Sequence, residues 1–292
     1  MKPLLGLALA GMLLVVELAS VLEAAPARVG RISIGYMPPK NPAHLAIYDT
    51  LTRVRFLEKL QEFMSPFRLP RPLTVKMEDC GEANATYEDA TITICYEYVD
   101  ELWKNMPAGT TPAGVTPLDA LVGPLFDTAL HEFGHALFDM LKLPVFGREE
   151  DAADQVSAYM MLHLGKAEAR RLILGTAHAF KTEAESRTTP LALKEFSDVH
   201  GTPAQRLYNL LCIAYGADGR LFGDLVTKGY LPKERAEGCV EEYQQVAYAF
   251  RKLILPHINA DQARKVLDKS WLPEASTPVH RRPGDNQSAQ PR

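Results

Sequence analysis

The residues from Phe126 to Asp154, FDTALHEFGHALFDMLKLPVFGREEDAAD, constrain the fold more than any other stretch of the chain. Phe126, Leu130, Phe133, Leu137, Phe138 and Leu141 recur at the spacing of one helical face, which predicts a buried helix stopped by Leu143-Pro144 and Phe146-Gly147. On that apolar helix His131 and His135 stand at i and i+4, one above the other, with Glu132 beside them. Burying such groups is costly unless they find partners. The nearest supply is the acidic stretch Glu149, Glu150, Asp151 and Asp154, which opens the next helical segment. The first helix can run about 10 Å past His135 at 1.5 Å per residue. The connection from Leu143 to Glu149 can then span about 23 Å. The two helices are expected to fold back on each other, and Ala152, Ala153, Ser157 and Ala158 are small enough to let them approach closely.

Elsewhere RISIGY (31–36), LTVKME (73–78) and TITICYEY (91–98) are rich in β-branched and aromatic residues between turn formers, which predicts three strands. AHLAIYDTLTRVRFLEKLQEFM, between the first two, has helical spacing and is expected as one amphipathic helix. Beyond Tyr98 helices are predicted over roughly 117–142, 149–173, 203–215 and 234–255. No repeat interrupts this order, so the expectation is one helix-rich α+β domain over 28–273, with a small N-terminal sheet. At 292 residues, 47% hydrophobic, the chain can bury one such core. A polar, Pro-rich tail over 274–292 is expected to be disordered.

The N-terminus, MKPLLGLALAGMLLVVELASVLEAAPA, places a lysine before an uncharged apolar run and a small-residue site, the order of a signal peptide over 1–27. The uncharged run is shorter than a spanning helix needs, so export to the periplasm or medium is expected rather than stable membrane insertion. A net charge of −4 gives no reason to expect nucleic acid as a partner. In an oxidising compartment the four cysteines should pair, and proximity in the sequence favours Cys80 with Cys95 and Cys212 with Cys239. No CxxC is present to suggest a cysteine zinc site.

The histidine pair has a chemical reading. Two imidazoles at i and i+4 can both reach one zinc ion at about 2.0–2.1 Å, the HExxH arrangement of zinc peptidases, in which the glutamate serves as general base. Glu132 takes that role here. A third protein ligand is needed, and Glu150 is the choice, with Glu149, Asp151 and Asp154 as rivals. Asp154, one turn after Glu150, would instead accept the free ring N–H of a liganding histidine. His44, His163, His178, His257 and His280 lack such context and are read as surface or core residues.

HEFGH followed by EDAAD resembles the gluzincins, zinc peptidases whose third ligand is glutamate, and within them the HExxH plus ExxAD pattern of the CAAX-prenyl-protease type. That type also carries a later His-Pro segment with an arginine six residues after the histidine. Here His200 and Arg206 have the spacing, but Gly201 stands in place of the proline. Over nearly its whole mature length, through CGEANATYEDATITICYE, HEFGHALFDMLKLPVFGREEDAADQ and QRLYNLLCIAYGAD, the chain is most similar to a family of bacterial exported proteins of unknown function described as metallopeptidases. The resemblance implies a zincin-like domain with one Zn2+ and a peptide or protein substrate. It also implies an oxyanion-stabilising role for His200 and a carboxylate-orienting role for Arg206, with Tyr215 as another donor. Prenylated peptides are not implied, since the chain has no series of spanning helices. The strand at 91–98 would lie at the cleft edge and pair with substrate. A non-catalytic exported binding or assembly protein on the same fold, and a zinc amidase acting on cell-wall peptides, are the rival functions.

Overall fold

In a computed structural model describing residues 31–277 except 187, 188 and 191, the strand patterns assemble into one mixed four-stranded sheet. Its strands are β1 Ile32–Tyr36, β2 Leu73–Glu78, β3 Ala85–Glu88 and β4 Thr91–Cys95. They lie in the order β1-β2-β4-β3, with β3 alone antiparallel to its neighbour. Leu73, Val75 and Met77 alternate on β2, and Ile92 and Ile94 on β4, so one face of the sheet is buried under helices. The expected leader at 1–27 lies outside the described residues, as does the tail beyond 277.

Eleven α-helices are present among the described residues. The chain passes from β1 to β2 through α1 Leu45–Arg53 and α2 Phe56–Met64, the crossover that parallel neighbours need. The single helix expected there is broken at Val54-Arg55, with Arg55 in the left-handed region at φ 56°. The break shows in the apolar spacing: the stripe slips from Ile47 and Leu51 to Phe56 and Leu60, five residues instead of three or four. The strand expected to reach Tyr98 stops at Cys95, and Tyr96–Lys104 forms α3. Tyr96, Val99 and Leu102 bury one helical face there, and that packing prevails over the period-two pattern that Tyr96 also continues.

β3 was not anticipated. It joins β4 through Asp89 and Ala90, both at positive φ (45° and 60°), the two-residue turn whose twist suits a hairpin. Asn-Gly or Asp-Gly would signal such a turn, and Ala90 hides it. An alanine held there is strained, so Ala90→Gly should raise stability by about 0.5–1 kcal/mol, read as a higher urea midpoint at unchanged slope.

The rest is helical: α4 Pro117–Leu141, α5 Glu149–Leu162, α6 Lys166–Ser186, α7 Pro203–Ala217, α8 Asp224–Thr227, α9 Lys233–Ala236, α10 Cys239–Leu253 and α11 Ala260–Leu267. The helix expected over 149–173 is two, parted at Leu164-Gly165, and that over 234–255 is divided at Gly238. α4 runs through the centre. Thr116 caps it reciprocally with Asp119, Pro117 occupies its first turn, and Phe126 and Phe133 stack edge-on against Phe63 and Phe67. Glycine lets α6 cross it closely, since a Cβ on Gly175 would collide with the Asp119 carbonyl. The cysteine sulfurs lie at disulfide distance in the two local pairs, 2.03 Å for Cys80 and Cys95 and 1.97 Å for Cys212 and Cys239. No helix of the described residues is long and apolar enough to cross a membrane.

Candidate metal centre and cleft

α5 returns along α4 because a glycine faces an alanine where they touch: a Cβ on Gly134 would lie 3.2 Å from Ala153 Cα. Polar groups then pair in opposite order along the two helices. Ser157 meets Asp127, Asp154 and Glu150 meet His131, and Glu150 and Glu149 meet His135.

At the centre of this ladder His131 Nε2 lies 3.0 Å and His135 Nε2 3.2 Å from Glu150 Oε2, and the two nitrogens are 3.2 Å apart. Behind them, the Nδ1–H of His131 donates to Asp154 Oδ1 at 2.8 Å and that of His135 to Glu149 Oε1 at 2.8 Å. Each ring is thus held by a carboxylate with its Nε2 turned inward. Two imidazole nitrogens and a carboxylate oxygen, all within 4.8 Å of one another, are a donor set that fits a divalent transition-metal ion.

The charges are strongly coupled. Burial disfavours the His131 imidazolium, yet the hydrogen bonds from Asp154 and Glu150 outweigh it and hold the pKa up at about 10. The His131 hydrogen bond draws Glu150 down to about 2 against its burial, with His200 and His135 helping. Burial opposes the charge on Asp154, but hydrogen bonds from His131 and Arg206 hold it far below the usual carboxylate range. Glu132, almost fully buried, is pushed up by that burial, and the neighbouring histidines offset only part of the rise.

His200 and Arg206 come to the same place. Arg206 donates Nε and Nη2 to the two oxygens of Asp154 at 2.8 and 2.6 Å, with its guanidinium 4.4 Å over the Phe180 ring. His200 Nε2 lies 2.9 Å from Glu150 Oε2, its ring stacked 5.9 Å from that of His131. Gly201 does not disturb the next helix, which Thr202 and Gln205 cap reciprocally. Tyr215, near the C-terminal end of α7, does not line the cleft. Of the rival acids, Glu149 and Asp154 stand behind the histidines and Asp151 lies outside the cleft.

The centre opens into a cavity of about 1140 Å³ bounded by β3, α3, α4, α6 and the start of α7. β4 does not form its edge. β4 is paired on both sides, by β2 and β3, and β3 supplies the lip through Ala85, Thr86, Tyr87 and Glu88. His178 also lines the cavity, which its sequence context did not reveal. His44 is buried and donates Nδ1–H to Asp79 at 2.6 Å, His163 is exposed, His257 is half-buried, and His280 lies outside the described residues.

Two contributions were missed. Glu149, expected only as a rival ligand, is the partner of His135. Asp127, buried one turn before His131, accepts Ser157 Oγ at 2.6 Å, and burial together with the Asp154 charge pushes it up to about 6. Their signal was present: Asp127, His131 and His135 repeat every four residues, and Ser157 follows Asp154 by about one turn.

No curated protein and no solved structure matches the chain. The segment from residue 36 to residue 254, which carries both histidines, the ladder of carboxylates behind them, His200 and Arg206, does match a sequence family, and the chain belongs to that family, described as "Putative metallopeptidase".

Proposed function

We propose that the chain is an exported zinc peptidase of the gluzincin type. In this reading one zincin-like domain over 28–273 holds a single zinc ion through His131, His135 and Glu150 and hydrolyses peptide bonds of a peptide or protein substrate. The observation that carries the reading is the meeting of those three ligand atoms at the floor of a peptide-sized cleft, with each imidazole backed by a carboxylate. The family description points the same way, to a metal-dependent peptidase.

When bound, zinc would supply Lewis acidity, bringing the pKa of water toward neutrality and polarising the scissile carbonyl. The chain's own groups do the rest. Glu132 accepts the proton from the attacking water at its carboxylate and returns it to the leaving amine, and its raised pKa brings it nearer the range suited to that exchange. His200, beside Glu150 at the mouth of the centre, donates Nε2–H to the developing oxyanion. Asp154 and Glu149 fix the two imidazoles, and Arg206 fixes Asp154. The outer edge of β3 offers backbone groups to an extended substrate, which would add to the sheet as a further strand. Export agrees with the two cysteine pairs at disulfide distance.

The test is metal analysis with cleavage profiling. One zinc per chain is expected, with cleavage of an unbiased peptide mixture that a chelator abolishes and added zinc restores. A zinc-bearing protein giving no chelator-sensitive product would be a binding or assembly protein on this fold. Cleavage confined to cell-wall peptides would make it an amidase.

A further inference from the structure

We infer that His44, Asp79 and Glu97 hold a second divalent ion, manganese by preference, whose role is structural. The site stands apart from the peptidase reading, since none of the three side chains lines the cleft.

The sheet topology brings the three together. β1, β2 and β4 run parallel, so their carboxyl ends open on one edge. In open sheets of parallel strands that edge is where ligands bind. Asp79 follows β2 directly, Glu97 lies in the first turn of α3 just past β4, and His44 closes the turn Pro42–His44 that leads from β1 into α1. One ligand atom of each lies within 4.8 Å of the others, and His44 is buried. The donor set narrows the choice of ion. Two carboxylates favour manganese over softer metals, while the imidazole disfavours calcium and magnesium, which take oxygen alone. The sulfurs of Cys80 and Cys95 come as near to Glu97 but are spent on each other.

A second observation concerns charge. Among the described residues neither Asp79 nor Glu97 has a lysine or arginine partner, and the only ion pair of either is that of Asp79 with His44. The two carboxylates are nevertheless pinned close together. Backbone N–H groups of Lys40 and Asn41 donate to Asp79, and those of Cys80 and Gly81 to Glu97. The bridge from Cys80 to Cys95 ties the residue after Asp79 to the strand end just before Glu97. Carboxylates held at short range repel each other, and a divalent ion between them reverses that cost. Hydrogen bonds that fix a carboxylate are also what keeps a metal ligand aimed. The ion would fasten the turn before α1 to the base of α3, whose Tyr98, Glu101 and Leu102 line the cleft.

The experiment titrates the zinc-loaded protein with manganese and follows the electron paramagnetic resonance of the free ion. Zinc content is measured in the same samples. One manganese per chain should be taken up with no loss of zinc, and it should raise Tm. The Asp79→Asn, Glu97→Gln double variant keeps an oxygen for each set of backbone N–H groups. Its manganese affinity should fall by at least about tenfold, the least that removing even an outer partner costs, with chelator-sensitive cleavage retained. Glu97→Gln alone carries the same comparison if the double variant does not fold. No saturable uptake by the parent would leave the three side chains as a hydrogen-bonded turn and overturn the inference. So would uptake matched by zinc release, which places the manganese at His131 and His135, or an affinity that the substitutions leave unchanged.

Discussion

Glu132→Gln should leave a folded, metal-loaded protein whose hydrolysis is lower by about 10²–10⁴-fold, the range that a general base contributes. The amide keeps the shape of the side chain but cannot take a proton, while His131, His135 and Glu150 keep their places. Stability should not suffer. Because burial raises the Glu132 pKa above its unfolded value, its ionised form weakens the fold once the pH exceeds that unfolded value, about 4.3. The neutral amide is free of that penalty, so near neutral pH the variant should melt no lower than the parent. Measuring kcat/KM for chelator-sensitive cleavage beside zinc content and Tm separates the outcomes. Full activity in the variant would remove Glu132 from the mechanism.

Arg206→Leu should have the largest structural effect at the centre. Asp154 is mostly buried and takes both arms of the guanidinium, with the buried Asp127 carboxyl nearby. Removing the cation takes two charge-assisted hydrogen bonds from Asp154 and leaves it to His131 alone, a loss of about 1.5–3 kcal/mol. His131 then loses a well-held partner, and metal affinity should fall by about 10–100-fold. The pH dependence has a definite sign. Asp154 has a depressed pKa in the fold, so its contribution to stability is present above its unfolded value, about 3.9, and is lost as the pH falls through the folded value. Losing Arg206 raises that folded value and brings acid unfolding to higher pH. Urea unfolding of the metal-free protein and competition against a chromophoric chelator read the two effects. Arg206→Lys restores the charge without the two-pronged geometry and should fall between. A leucine variant as stable as the parent would show that His131 alone satisfies Asp154.

Much of the centre was legible because its residues repeat at helical spacing on two neighbouring helices. His131 with His135, and Glu150 with Asp154, fix which faces must meet, and Gly134 with Ala153 lets them do so. What the sequence left open was the phase with which α5 begins, and therefore which of Glu149 and Glu150 faces inward and which stands behind His135. Strand content was legible where alternation was clean, as at Leu73–Glu78, and failed where two periods overlap, as at Tyr96. The lip of the cleft was assigned to the wrong strand for a different reason. A hairpin folding back on the outside of β4 is a tertiary choice, and ATYE with its Asp89-Ala90 turn carries too weak a local signal to announce it.

The bond-length contact between Cys80 and Cys95 has a consequence for anything that docks on the cleft. It fastens the segment entering β3 to the last residue of β4, a strand flanked on both sides within the sheet. With that bond closed, the turn leading into β3 is tethered at its start, so a chain docking along β3 would have less freedom of that turn to freeze out.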